Sequence, residues 1–92
     1  MKLPELIEKL NTIDEELIIL QENKDDPNSD IILSTGDVVD NGVKDERGRK
    51  YYYLIEVFLA KEFVQDWINS LNYLPSHSET AKRLYQYAIN DA

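Results

Sequence analysis

The segment Tyr51–Leu71, YYYLIEVFLAKEFVQDWINSL, changes its hydrophobic period part-way along, and that change constrains the fold more than any other feature of the chain. Tyr51 to Phe58 is aromatic and β-branched apart from Leu54 and Glu56, the composition of a strand. Strict alternation puts Tyr52, Leu54, Glu56 and Phe58 on one face and Tyr51, Tyr53, Ile55 and Val57 on the other. Both faces are largely apolar, so the strand is predicted to lie inside its sheet and not at an edge. Beyond Leu59 the period becomes helical. Phe63, Val64, Trp67, Ile68 and Leu71 form a stripe, with Lys61, Glu62, Gln65, Asp66 and Asn69 on the other side. A strand running straight into a helix, each with a heavy apolar face, is the expected centre of the core.

Upstream, Pro4 suits the first turn of a helix, where a missing N–H costs nothing. Leu3, Leu6, Ile7 and Leu10 follow at helical spacing, which predicts a short helix from Pro4 to Asn11 that must dock its apolar face on something. Glu15–Glu22, EELIILQE, is a compact apolar run bounded by acids, the length of a buried strand, although a continuation of the helix past Thr12 is an alternative. Asn23–Ser29, NKDDPNS, is a turn, and Asp30–Ser34 a second short strand. The two strands are expected to pair as an antiparallel hairpin.

Between Thr35 and Lys50 the signals are weak. Val38, Val39 and Val43 offer at most one brief extra strand; otherwise the segment reads as a long polar surface connection carrying part of a binding face. After the central helix, Asn72–Pro75 is a stop, and Ser76-His77-Ser78-Glu79 has the spacing of a capping box. A last helix is predicted from His77 to Asn90. Ala81, Leu84, Tyr85, Ala88 and Ile89 face inward; Lys82, Arg83, Gln86 and Tyr87 face outward. The expected architecture is one α+β domain over residues 1–92, with a small antiparallel sheet of about three strands, about three helices, and the order α-β-β-β-α-α.

The charge is uneven. The chain carries a net −8, and residues 2–30 hold nine acids against three bases, whereas residues 31–50 balance at four each. Such a field repels phosphate backbones and membrane surfaces and attracts basic partners, although it also simply keeps a small domain soluble. The 92-residue chain contains no cysteine, hence no disulfide, and is compatible with a reducing cytosol. The opening MKLPELIEKL lacks the apolar run of a signal peptide, and no stretch has the length of a membrane span, so a cytoplasmic protein is expected.

Catalytic chemistry finds no foothold. DVVDNG, residues 37–42, invites a calcium loop, but Val38 and Val39 stand where oxygen ligands are needed, and a turn accounts for it better. His77 is the one histidine. It has neither His nor Cys partners, and as the residue opening a helix it reads as an exposed turn residue. Ser76 and Ser78 read as caps because no base adjoins them. No cofactor, metal or enzyme activity is implied. The carboxylates Glu15, Glu16, Glu22, Asp25, Asp26 and Asp30 form one acidic rim if the hairpin pairs as described. That rim is either a solvated edge that resists edge-to-edge pairing or a docking surface for a basic protein. Tyr53 and Tyr85 are expected in the core; Tyr51, Tyr73 and Tyr87 are expected partly exposed, as at protein interfaces. Stacking on nucleic acid would need a basic groove, and only RGRK, residues 47–50, is locally basic.

A small acidic cysteine-free α+β domain of this kind resembles the bacterial immunity proteins that neutralise toxins, including those of contact-dependent growth inhibition systems. More locally, YYLIEVFLAKEFVQDWINSL…P…ETAKRLYQYAINDA resembles a family of small bacterial domains with a strand, a VQDxxxN helix, a Pro-containing turn and a last helix ending aromatic-x-x-x-D-A. The matching positions are Val64, Gln65, Asp66, Asn69, Pro75, Tyr87, Asp91 and Ala92. The resemblance implies a steric and electrostatic inhibitor that covers the basic surface of a toxin domain, such as a nuclease, as a monomer or weak dimer. Its contacts would come from Glu15, Glu16, Glu22, Asp25, Asp26 and Asp30, with Asp37, Asp40, Asp45 and Glu46 from the following segment and Asp66 and Tyr87 in second place. Two other classes stay open: a phage-type inhibitor or nucleic-acid mimic, and a non-catalytic structural module that self-associates through exposed Tyr and apolar surface.

Overall fold

Helix α1 (Leu3–Glu8) carries Pro4 in its first turn, and the Glu5 carboxylate turns back to accept the Lys2 N–H at 3.1 Å. A 3-10 turn, Leu10–Thr12, continues it, so the predicted helix is broken at Lys9 while Leu3, Leu6 and Leu10 remain buried on one side. The computed structural model describes residues 1–36 and 41–91. Strands β1 (Ile18–Gln21) and β2 (Ile31–Ser34) pair antiparallel, with Ile18 opposite Ser34 and Gln21 opposite Ile31. The hairpin forms as the sequence predicts. Its turn is pinned internally: Ser29 Oγ accepts the Asn23 N–H at 3.2 Å and donates to the Asn23 carbonyl at 3.0 Å. Two further bonds hold it, one local, from Gln21 Nε2 to the Asp26 carbonyl, and one long-range, from the Tyr85 hydroxyl to the Lys24 carbonyl.

Strands β3 (Val43–Glu46) and β4 (Arg49–Glu56) form a second hairpin: the brief extra strand is present from Val43, and residues 43–46 and 49–50 are paired in the sheet and not a polar connection. Arg47 and Gly48 close it with φ of 52° and 81°, two left-handed residues as a type I′ turn requires. The sheet order is β2-β1-β4-β3, every pairing antiparallel, with β4 inside. The element order is therefore α-β-β-β-β-α-α, with β3 the addition.

Strict alternation along β4 fails at one place. Ile55 lies opposite Ile19 and Tyr53 opposite Leu20, leaving Leu54 as an extra residue in a β-bulge. The bulge lets Leu54 and Ile55, neighbours in the chain, both enter the core on the helix side, at 1 % and 0 % exposure. Tyr51 and Tyr53 are thereby on the other face with Leu20. Tyr51 is buried there at 4 % exposure, against the expectation that it would be partly exposed.

Helix α2 (Val57–Ser70) starts directly after Glu56, and α3 (His77–Asp91) follows a short turn. Ser76 and Glu79 make the predicted capping box. The Glu79 N–H donates to Ser76 Oγ at 3.1 Å, and the Ser76 N–H donates to Glu79 Oε1 at 3.4 Å. The core joins Leu3, Leu6 and Leu10 to Ile19, Ile31, Leu54 and Ile55 and to Val57, Ala60, Val64, Ala81, Leu84, Tyr85 and Ala88 from the two later helices. Two details depart from the sequence reading. The buried line of α2 is Val57-Ala60-Val64, so Phe63, Trp67 and Ile68 are only half-buried, and Ile89 of α3 is 43 % exposed.

Candidate protein-docking surface

The sheet separates the predicted acidic residues into two groups. Glu22 and Asp30 sit where β1 and β2 meet their turn, and Glu15 and Glu16 precede the other end of β1. Five residues, Leu17 and the four of β1, part Glu16 from Glu22, a separation of up to roughly 20 Å over the six steps at about 3.3 Å each. The single rim expected of these residues is therefore two sites.

At the hairpin end the carboxylates are largely engaged. Asp30 Oδ1 accepts from the Met1 ammonium at 2.6 Å, and Asp30 Oδ2 accepts from the buried Tyr51 hydroxyl at 3.1 Å. The ammonium contact holds the Asp30 carboxyl below the usual carboxylate range, against an opposing push from burial and with further help from Tyr51. Glu46 pairs with Lys44 at 3.0 Å, and Glu22 stands 3.7 Å from Arg49. Asp26 Oδ1 accepts the Asn28 N–H inside the turn. Exposed Asp25 lies beside it, and exposed Asp45 of β3 is opposite Lys50 of β4. This end is a mixed-charge surface. Asp37 and Asp40 lie outside the described residues.

At the other end acids predominate, with Lys61 held on the Ile13 carbonyl beside them. Asp14 Oδ1 accepts the Glu16 N–H at 2.9 Å, a local turn that leaves Glu15 and Glu16 exposed just before β1. Antiparallel pairing brings Glu56, the last residue of β4, opposite Ile18. Glu15, Glu16 and Glu56 thus surround an apolar floor of Ile18, Gly36 and Phe58 in an open cleft of about 460 Å³. Phe58 is 43 % exposed because α2 begins two residues earlier than the strand pattern suggests, which turns this ring outward.

From Phe58 the surface continues along α2. Phe58, Glu62 and Asp66 recur every four residues, and Leu59, Phe63 and Trp67 run beside them. Leu59, Glu62, Phe63, Asp66, Trp67 and Tyr87 of α3 line a second open cleft, of about 340 Å³. Tyr87, expected to lean outward, instead stacks on Phe63, and the Arg83 guanidinium lies 5.4 Å from the centre of the same ring. Among the described residues Glu15, Glu16, Glu56, Glu62 and Asp66 have no ion-pair partner. Lys61, the one basic residue of α2, donates instead to the Ile13 carbonyl.

Four predicted contact residues, Glu15, Glu16, Asp66 and Tyr87, therefore share this surface with six the sequence reading did not select: Glu56, Phe58, Leu59, Glu62, Phe63 and Trp67. The paired i, i+4 series of acids and large apolar residues on α2 was the available signal for the last of these. Among the described residues no group of three or more His, Cys, Asp or Glu is placed to hold a metal ion, and no helix is long and apolar enough to cross a membrane. Comparison of the chain with family models, with curated proteins and with solved structures gives no match.

Proposed function

We propose that this chain is a non-catalytic binding protein of the immunity type, which docks on a basic protein partner in the cytoplasm and occludes its working surface. A nuclease-like toxin domain is the partner class that fits, because a surface that holds nucleic acid must itself be cationic. The observation that carries the reading is the group Glu15, Glu16 and Glu56 around exposed Phe58 and half-buried Ile18. Unpaired carboxylates steer a basic partner, and an adjoining apolar floor offers it surface to bury. The net charge of −8 extends the attraction beyond the contact itself.

The test is binding to the protein encoded immediately upstream in the source genome, measured by surface plasmon resonance across a salt series. Tight association at low salt, with an association rate that drops as salt rises and drops further in Glu15→Gln/Glu16→Gln/Glu56→Gln, is the expected outcome. A basic upstream product that fails to bind at low salt removes the proposal. Light scattering on the isolated chain decides the competing self-association reading, for which a stable dimer would be the support.

A further inference from the structure

The second cleft asks for a more specific occupant than a generally basic surface. Its walls are three aromatic rings and Leu59, and its rim is the carboxylate pair Glu62 and Asp66. Like charges one helical turn apart destabilise a helix, and no lysine or arginine among the described residues lies within ion-pair distance of this pair. Phe63 is taken up by Tyr87 and Arg83, whereas Trp67 and Tyr87 are half-buried and keep part of their surface exposed. Arg83 already lies over Phe63, which shows that this aromatic group accommodates a guanidinium.

We infer that the cleft between α2 and α3 is an anchor site for one arginine side chain of the basic partner. This deepens the docking proposal above and rests on it for the source of that arginine. The planar guanidinium can lie against an aromatic face of Trp67 or Tyr87 while its N–H groups fork toward Glu62 and Asp66. A lysine ammonium, compact and strongly hydrated, meets only one of those two demands well. Buried arginine and aromatic contacts at the centre of an interface commonly dominate its binding energy. The cleft thus supplies specificity, and Glu15, Glu16 and Glu56 supply attraction.

The anchor is tested without any macromolecular partner. The blocked tripeptide acetyl-Gly-Arg-Gly-amide is titrated into the isotopically labelled protein, and the indole N–H resonance of Trp67, the single tryptophan, is followed. A saturable shift with a millimolar midpoint is expected, several-fold weaker for the lysine peptide and for the neutral citrulline peptide, and lost in Glu62→Gln/Asp66→Asn. Both substituted residues are exposed, so the variant keeps its fold, with thermal unfolding as the control. No shift, an equal shift with the lysine or citrulline peptide, or a shift that survives in the variant overturns the anchor. Such a failure is separate from failure of the docking proposal, because the salt series there reads a different set of carboxylates and a whole protein partner.

Discussion

Phe63 of α2 and Tyr87 of α3 stack with ring centroids 4.2 Å apart and planes inclined by 14°. Both rings pack against the core cluster, to which α2 gives Val57, Ala60 and Val64 and α3 gives Ala81, Leu84, Tyr85 and Ala88. Phe63→Ala and Tyr87→Ala should each lower stability by about 1–2 kcal/mol. The double variant should reveal a coupling of about 0.5–1.5 kcal/mol, as measured for aromatic pairs beyond their area burial. Urea unfolding of the four proteins reads both numbers, and strict additivity would mean that the stack contributes nothing of its own.

The turn of the second hairpin offers a gain. Arg47 holds a left-handed conformation with φ of 52°, which costs an ordinary L-residue roughly 1–2 kcal/mol and asparagine much less. Arg47→Asn should therefore stabilise the protein by about 0.5–1 kcal/mol, a rise of roughly 4–8 °C in Tm per kcal/mol for a domain of this size. Gly48→Ala, at φ of 81°, should do the opposite even though a Cβ there meets no neighbouring atom. Differential scanning calorimetry checks both. An unchanged Tm for both variants would show that the turn is not held in this conformation in solution.

These same places explain what the sequence disclosed and what it did not. The change of period after Tyr51–Phe58, the Ser76–Glu79 spacing and the turn chemistry of Asn23–Ser29 are local, and each yields its element from neighbouring residues alone. The hairpin at Arg47-Gly48 hides because arginine stands where asparagine or aspartate usually announces a type I′ turn. The bulge at Leu54 hides because a register shift is decided by packing on both sides of the sheet, not by propensity. The division of the acids hides for a third reason. Glu16 and Glu22 look adjacent in sequence, and a strand carries them to opposite ends of the sheet, while Glu56, forty residues from Glu16, arrives beside it.

Asp30 and Tyr51 give the stability a definite pH shape. Asp30 is depressed below its ordinary range by the Met1 ammonium. Its contribution is complete above the unfolded carboxylate pKa of about 3.9 and is lost as pH falls through the lower folded value. Tyr51 is raised, first by burial and then by Asp30, and Tyr53 and Tyr85 are raised by burial. Their contribution is complete below about pH 10 and is lost as pH climbs through the folded values. Urea midpoints of Asp30→Asn should therefore be lower near neutrality and flatter than wild type between about pH 5 and pH 2. Tyr51→Phe should soften the alkaline limb while leaving Tyr53 and Tyr85 to maintain part of it. An acid limb identical in wild type and Asp30→Asn would assign acid sensitivity to other carboxylates.

The two clefts should separate in binding kinetics. Glu15, Glu16 and Glu56 surround an open cleft and remain solvated at the rim, where charges act mainly on encounter. Their replacement by glutamine should lower the association rate with a basic partner by about tenfold at low salt and by much less at high salt, with dissociation nearly unchanged. Trp67 and Tyr87 are half-buried walls of the second cleft, and their work is done after contact. Trp67→Ala should leave the association rate and its salt slope intact and accelerate dissociation, by about thirtyfold for a 2 kcal/mol hot spot. Substitutions at the hairpin end, such as Asp45→Asn, should change neither rate by much, because that end is already balanced by Lys44, Arg49 and Lys50. Loss of association on neutralising Asp45, with the Glu15, Glu16 and Glu56 variant unaffected, would move the docking surface to the other end of the sheet.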